Sequence, residues 1–160
     1  VTNELIDLAT KVGRALEAKG LLLVTAESCT GGGVSQAITE IAGSTGWFER
    51  GFVTYSNLSK TELLNVPDAL IAQFGSVSEE VAGAMAEGAV ANSNADVAVS
   101  TTGIAGPSGA VPGKPVGTVC FGWSRGDTTY TERLVLSGDR QSIREQTVAH
   151  ALQGLLRFIE

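Results

Sequence analysis

Leu5, Leu8, Ala9, Val12, Ala15 and Leu16 recur three and four positions apart, which predicts an amphipathic helix, and Gly20 supplies its stop. Leu21 to Ala26 follows as a short, nearly unbroken apolar run, the pattern of a strand covered on both faces. Thr30-Gly31-Gly32-Gly33 then turns the chain into a short helix over Val34–Ile41 that ends at Gly43. Phe, Val, Thr and Tyr cluster within Gly51–Tyr55, which predicts a second strand.

Ser56–Asn65 reads as helical, and Pro67 opens another short helix that stops at Gly75. Ser76-Val77-Ser78-Glu79 resembles a capping box ahead of an alanine-rich helix running to about Asn92. Its small residues suit close packing on a sheet. Asp96–Thr101 predicts a third strand. Gly103–Gly117 holds five glycines and three prolines and predicts a loop. Strands over Thr118–Ser124 and Thr128–Leu136 are joined by Arg125-Gly126-Asp127, a hairpin turn, and the last helix begins at the N-cap Asp139. Helices alternating with the first three strands, then a closing hairpin, predict an α/β fold. It is a three-layer α/β/α sandwich with a mixed sheet of about five strands, formed as one domain over residues 1–160.

Composition narrows the function. With 160 residues, 43% of them hydrophobic, the chain can bury a full core. A net charge of −6 argues against a general nucleic-acid binder but leaves room for one basic pocket. The apolar runs are too short to span a bilayer. Two cysteines, Cys29 and Cys120, make no disulfide framework, and no secretory leader is evident, so a reducing cytosolic setting is expected. The one histidine, His150, falls out of phase with Ala149, Leu152, Leu156 and Ile159 and is expected on the solvated surface. Metal-ligand spacing is absent, and no metal or organic cofactor is expected. Acid–base chemistry must then come from Lys, Tyr, Glu or Asp.

Ser28 stands where a buried strand gives way to a glycine-rich turn and a helix. Ligands of open α/β sheets bind at such strand ends, and a helix N-terminus offers free N–H groups. Three readings fit the spacing alone: a nucleophile with the Thr30 and Gly31 N–H groups receiving an oxyanion, a phosphate cradle without chemistry, or a structural turn. The segment lacks the lysine of a P-loop and does not match the dinucleotide fingerprint. If the first two strands are parallel neighbours, Tyr55 and Lys60 share the sheet edge with Ser28. Lys60 could serve as its base if burial lowered its pKa, whereas a lysine on a short surface helix would simply be solvated. Cys29 competes as nucleophile, but adjacent residues leaving a strand diverge, and a small buried thiol suits it better. Glu27 could orient Lys60 or bond a ligand. Thr101, Thr102, Gly103 and Gly106 form a second strand-end loop able to close the same pocket. Arg140 could grip a phosphate, with Arg144 one turn on; the alternative is capping by Asp139 with solvated arginines. Trp47, Phe48, Phe52 and Trp123 read as core or interface.

Five blocks in order carry a family resemblance. They are Thr25-Ala26-Glu27-Ser28-Cys29-Thr30-Gly31-Gly32, Gly51-Phe52-Val53-Thr54-Tyr55-Ser56-Asn57, Gly103-Ile104-Ala105-Gly106-Pro107, Lys114-Pro115-Val116-Gly117-Thr118-Val119 and Gly138-Asp139-Arg140. Together the chain resembles the C-terminal domain family of the competence-damage-inducible protein CinA, departing at Ala110 and Val111, where that family is often richer in glycine. Longer members carry an N-terminal domain similar to molybdopterin-binding proteins, which these residues lack. The resemblance implies hydrolysis of nicotinamide mononucleotide to nicotinate mononucleotide and ammonia, in pyridine-nucleotide salvage, by a homodimer. It implies Ser28 as nucleophile, Lys60 as base and Tyr55 beside them. Glu27, Thr30, Gly31, Gly32, Thr101, Gly103, Gly106 and Arg140 are expected around the substrate. A non-catalytic nucleotide-binding or regulatory module is the alternative. The implied partner is a small mononucleotide, with no nucleic acid and no membrane.

Overall fold

Helix α1 (Asn3–Lys19) starts where the Thr2 hydroxyl accepts the Leu5 amide and stops where Gly20 turns left-handed at φ 64°. The computed structural model describes all 160 residues, Val1 to Glu160. Five strands form one sheet: β1 (Leu23–Glu27), β2 (Phe48–Val53), β3 (Val97–Gly103), β4 (Thr118–Arg125) and β5 (Thr128–Val135), in the order β2-β1-β3-β4-β5. β1 runs parallel to β2 and β3, while β3–β4 and β4–β5 are antiparallel. The remaining helices are α2 (Gly33–Thr39), α3 (Asn57–Leu64), α4 (Asp68–Phe74), α5 (Glu79–Ala91) and α6 (Arg140–Ile159). No helix is long and apolar enough to cross a membrane.

The expected three layers are present, and strand alternation explains how they assemble. Odd positions of β1 and β3, such as Leu23, Val97 and Val99, join Val12, Leu16, Ile143 and Leu152 in a core beneath α1, α2 and α6. Even positions, Val24, Ala26 and Ala98, meet Leu64, Val81, Met85 and Ala86 beneath α3–α5. Every residue of β1 is buried, Thr25 and Glu27 included, as its nearly unbroken apolar run predicts. Several element ends shift by one to three residues from expectation, and those of β2 and β3 have a clear cause. β2 begins at Phe48 and ends at Val53, because the chain leaves the sheet after the Thr54 amide donates to the Glu27 carbonyl. β3 extends to Gly103, two residues past Thr101, because Thr102 and Gly103 still pair with Cys120 and Val119.

His150 corrects the surface expectation. Its ring packs 4.7 Å from Phe121 and 6.2 Å from Trp123 and pairs through Nε2 with the Glu132 carboxylate, so it is half-buried. Its place out of phase with the apolar positions of α6 turns it toward the closing hairpin and not toward water.

The layer carrying Lys60 depends on a close approach. A Cβ at Gly88 in α5 would lie far inside van der Waals contact of the Leu64 carbonyl oxygen at the end of α3. Glycine there lets α3 settle on α5. Gly88→Ala is expected to destabilise the fold by about 1–3 kcal/mol, as overpacking does. Thermal unfolding checks it, and an unchanged or raised midpoint would contradict the close-packing argument.

Candidate active site

The Ser28 turn is pinned from several sides. The Ser28 amide donates to the Thr101 carbonyl at 3.0 Å, continuing the β1–β3 ladder one step beyond the strand. The Gly31 amide returns to the Ser28 carbonyl at 3.0 Å, and Gly31 and Gly32 sit at φ 59° and 102°, where a side chain would be strained. Beneath them Glu27 is 1% exposed. Its Oε1 accepts the Thr30 hydroxyl at 2.6 Å and the Val34 amide at 2.8 Å, and its Oε2 accepts the amide and hydroxyl of Ser35 at 3.0 and 2.7 Å. A carboxylate at the first turn of a helix is favoured by the free N–H groups there. Glu27 therefore anchors α2 under the turn.

Lys60 reaches the turn from the other layer. After β2, Ser56 caps α3 by accepting the Ser59 amide at 3.1 Å, and Lys60 follows one turn later. Its side chain is 1% exposed, and Nζ lies 3.1 Å from Ser28 Oγ, 3.0 Å from the Thr54 carbonyl and 3.2 Å from the Tyr55 carbonyl. No carboxylate pairs with it. Burial without a counter-charge pushes the Lys60 amine below its ordinary pKa. A neutral amine has two N–H bonds and one lone pair. With both N–H bonds on the carbonyls, a neutral amine would turn its lone pair to the Ser28 hydroxyl, whereas an ammonium would donate to all three oxygens.

Cys29 is a poor rival. Burial pushes its thiol up to about 12, so it holds little thiolate at neutral pH. Its sulfur instead packs where Gly103 lacks a side chain.

Ser28 and Lys60 open onto a cleft of about 450 Å³, also lined by Tyr55, Thr102, Lys114 and Arg140 among others. The size falls within the range of ~300–1,000 Å³ common for small-molecule sites. Beside Lys60, two cations, Lys114 and Arg140, and no carboxylate line it, in a chain whose net charge is −6. That imbalance favours an anionic ligand. Arg140 leaves the N-terminus of α6 to donate to the Gly106 carbonyl at 2.8 Å and to approach the Tyr55 hydroxyl at 3.5 Å. Lys114 donates to the Phe74 carbonyl at 2.7 Å and ties the long loop to the end of α4.

Of the expected site residues, Ser28, Lys60, Tyr55, Gly103, Gly106 and Arg140 border this cleft, whereas Glu27, Thr30, Gly31, Gly32 and Thr101 do not. Glu27 is occupied by α2. The Thr30 hydroxyl is held by Glu27 and Thr101, the latter at 2.9 Å. Thr101 lies on the odd face of β3, so Thr102, one step on, borders the cleft instead, its hydroxyl donating to the Ser76 carbonyl at 2.7 Å. The Tyr55 phenol stands at the mouth, 64% exposed, and only its backbone carbonyl touches the Ser28–Lys60 pair. The Gly31 amide, expected to receive an oxyanion, is committed to the Ser28 carbonyl, while the amides of Cys29 and Thr30 meet no acceptor in the chain. Sequence reasoning missed the Gly75–Val77 wall, whose only local signal was the cap of α5. Lys114 was visible as a lone cation in a glycine- and proline-rich stretch.

An α/β/α sandwich with a buried serine–lysine pair at a strand-to-helix turn, facing a cationic cleft, defines the class of protein. The CinA C-terminal domain model matches residues 5–159, and the chain belongs to that family. Among its relatives, the nicotinamide-nucleotide amidohydrolase PncC of Pseudomonas putida is 51% identical over 151 residues, covering 94% of each chain. The protein of the same name from Escherichia coli (strain K12) is 52% identical over 155 residues, covering 96% of this chain and 93% of that one. The crystal structure of the competence/damage inducible protein CihA from Agrobacterium tumefaciens superposes with a TM-score of 0.97 at 38% identity, covering 100% of this chain and 98% of that one.

The buried amine has a consequence for stability. Its pKa is lowered in the folded state, so between that value and about 10.4 the unfolded chain binds more protons, and stability rises with pH. The unfolding free energy of the wild type, minus that of Lys60→Met, should therefore climb through this alkaline window. A difference that stays flat in urea titrations would refute the depressed pKa.

Proposed function

We propose that this chain hydrolyses the carboxamide of nicotinamide mononucleotide, giving nicotinate mononucleotide and ammonia, with Ser28 as nucleophile and Lys60 as its base. The observation that carries the reading is the 3.1 Å approach of the buried Lys60 amine to Ser28 Oγ, with two carbonyls occupying its N–H bonds. The names of the two amidohydrolase relatives, which align over nearly the whole chain, support the substrate.

In the first step the Lys60 lone pair takes the Ser28 proton as Oγ attacks the amide carbon. The negative charge forming on the amide oxygen meets the free Thr30 N–H. The Lys60 ammonium then protonates the departing nitrogen, the C–N bond breaks, and ammonia leaves an acyl ester on Ser28. Water attacks that ester with Lys60 again as base, and Ser28 recovers its proton as nicotinate mononucleotide departs. The phosphate belongs at the cationic side of the cleft, near Arg140 and Lys114. Tyr55 serves the pair through its carbonyl and the mouth of the cleft through its ring. Glu27, Thr30, Gly31, Gly32 and Thr101 hold the turn in shape and, Thr30's amide aside, do not touch substrate.

The same reading carries a cytosolic homodimer. Its support is two buried, unpaired cysteines and the open edge of β5, where Tyr130 and Val135 are exposed.

Purified protein mixed with nicotinamide mononucleotide should release ammonia. Ser28→Ala should lower kcat by about 10³-fold or more, as loss of a serine nucleophile does. No release by the wild type, or release undiminished in the variant, would defeat the reading; tight mononucleotide binding without turnover would point to a binding module instead. The ascending limb of kcat against pH should have a midpoint below the usual lysine value of about 10.4. Lys60→Met should lose this limb along with most of the rate.

A further inference from the structure

Arg144 does not border the cleft, yet it holds the turn that does. Its Nε donates to the Cys29 carbonyl at 3.1 Å and its Nη2 to the Thr30 carbonyl at 3.2 Å. It has no carboxylate partner. It lies on the far side of the turn, bordering a separate depression with Leu5 and Gln36. A Cβ on Gly31 would come within 3.4 Å of Nη2, so the guanidinium lies close against the turn backbone.

We infer that Arg144 is a positioning residue that aims and polarises the Thr30 N–H as the oxyanion donor. A trans peptide is planar, with its C=O and N–H pointing in opposite directions. By drawing the Cys29 carbonyl toward α6, Arg144 directs the Thr30 N–H away from α6. The Thr30 carbonyl, held by the same fork, directs the Gly31 N–H likewise, and that group is used within the turn on the Ser28 carbonyl. Like the Cys29 N–H, the Thr30 N–H has no acceptor in the chain, and it is the one whose peptide Arg144 holds, so it is the donor assigned to a ligand. A cation on the carbonyl oxygen draws electron density through the peptide and strengthens the N–H at its other end. Arginine suits the task because its planar fork spans two carbonyls at once, where an ammonium presents a single centre.

This inference rests on the Ser28 nucleophile proposed above, and two readouts separate them. A fluorophosphonate reports on Ser28 without reference to substrate: Oγ displaces fluoride from phosphorus, and the phosphoryl oxygen needs the same donor. Labelling of Ser28, followed by intact mass, should slow by about 10–100-fold in Arg144→Gln, somewhat less than direct loss of an oxyanion donor. With nicotinamide mononucleotide the same variant should lose kcat by a similar factor while KM stays within about twofold, since an interaction made only in the transition state is lost. Arg144→Lys, a milder change to the fold, should fall in between. Millimolar guanidinium should restore part of the labelling rate in Arg144→Ala. Folded variants that label Ser28 at the wild-type rate would overturn the inference whether or not the mononucleotide is hydrolysed. So would a loss confined to KM, or rates that fall only as far as the folded fraction falls. Wild-type labelling of Ser28 that slows in Arg144→Gln, with no ammonia from the mononucleotide, would sink the substrate assignment and sustain Arg144.

Discussion

A lysine amine taken out of water with no carboxylate beside it is a costly object, and much of this fold is arranged around one. The cost falls if the amine gives up its proton, and the neighbours of Lys60 fit the neutral form. Two backbone carbonyls accept its N–H bonds, and the Ser28 hydroxyl oxygen is the third oxygen within reach of Nζ. The arrangement needs Ser28 and Lys60 delivered from different layers. Ser28 comes from the end of a buried parallel strand, and Lys60 from a helix that reaches it only because α3 sits hard on α5 at Gly88.

The other charges near the turn divide the work. Glu27 is buried beneath the turn, and its four contacts all serve the start of α2 and the Thr30 hydroxyl. It thus stays apart from Lys60, which keeps the amine unpaired. Arg144 takes the carbonyls on the outer side of the turn, and Arg140 reaches across to the long loop. Glu27 holds the first amides of α2 and the Thr30 hydroxyl while Arg144 holds the Cys29 and Thr30 carbonyls, and the surface left facing the cleft carries cations without carboxylates. An anionic substrate accords with that surface.

Much of this was legible in the sequence because it is local. Helical spacing, the unbroken run of β1 and the glycines after Ser28 each mark an element within a few residues. The parallel pairing of β1 and β2, which brings Lys60 near Ser28, stood only as a condition in the sequence, and the fold meets it. What escaped depends on which face a side chain takes once layers pack. Glu27 and Thr101 stand on the odd face with α2, while Thr102 stands on the even face with the cleft. No local pattern separates the two threonines, since the parity is set by helices far along the chain. His150 was misplaced for a similar reason, because its partners Phe121 and Glu132 come from the closing hairpin.

The central claim is that Lys60 is neutral at the pH where Ser28 must be activated. Direct titration of its side chain by carbon-13 NMR, with labelled lysine and Lys60→Met to assign the signal, measures this most plainly. The account predicts a midpoint below the usual value of about 10.4. A Lys60 signal that titrates at or above that value would contradict the account at its root.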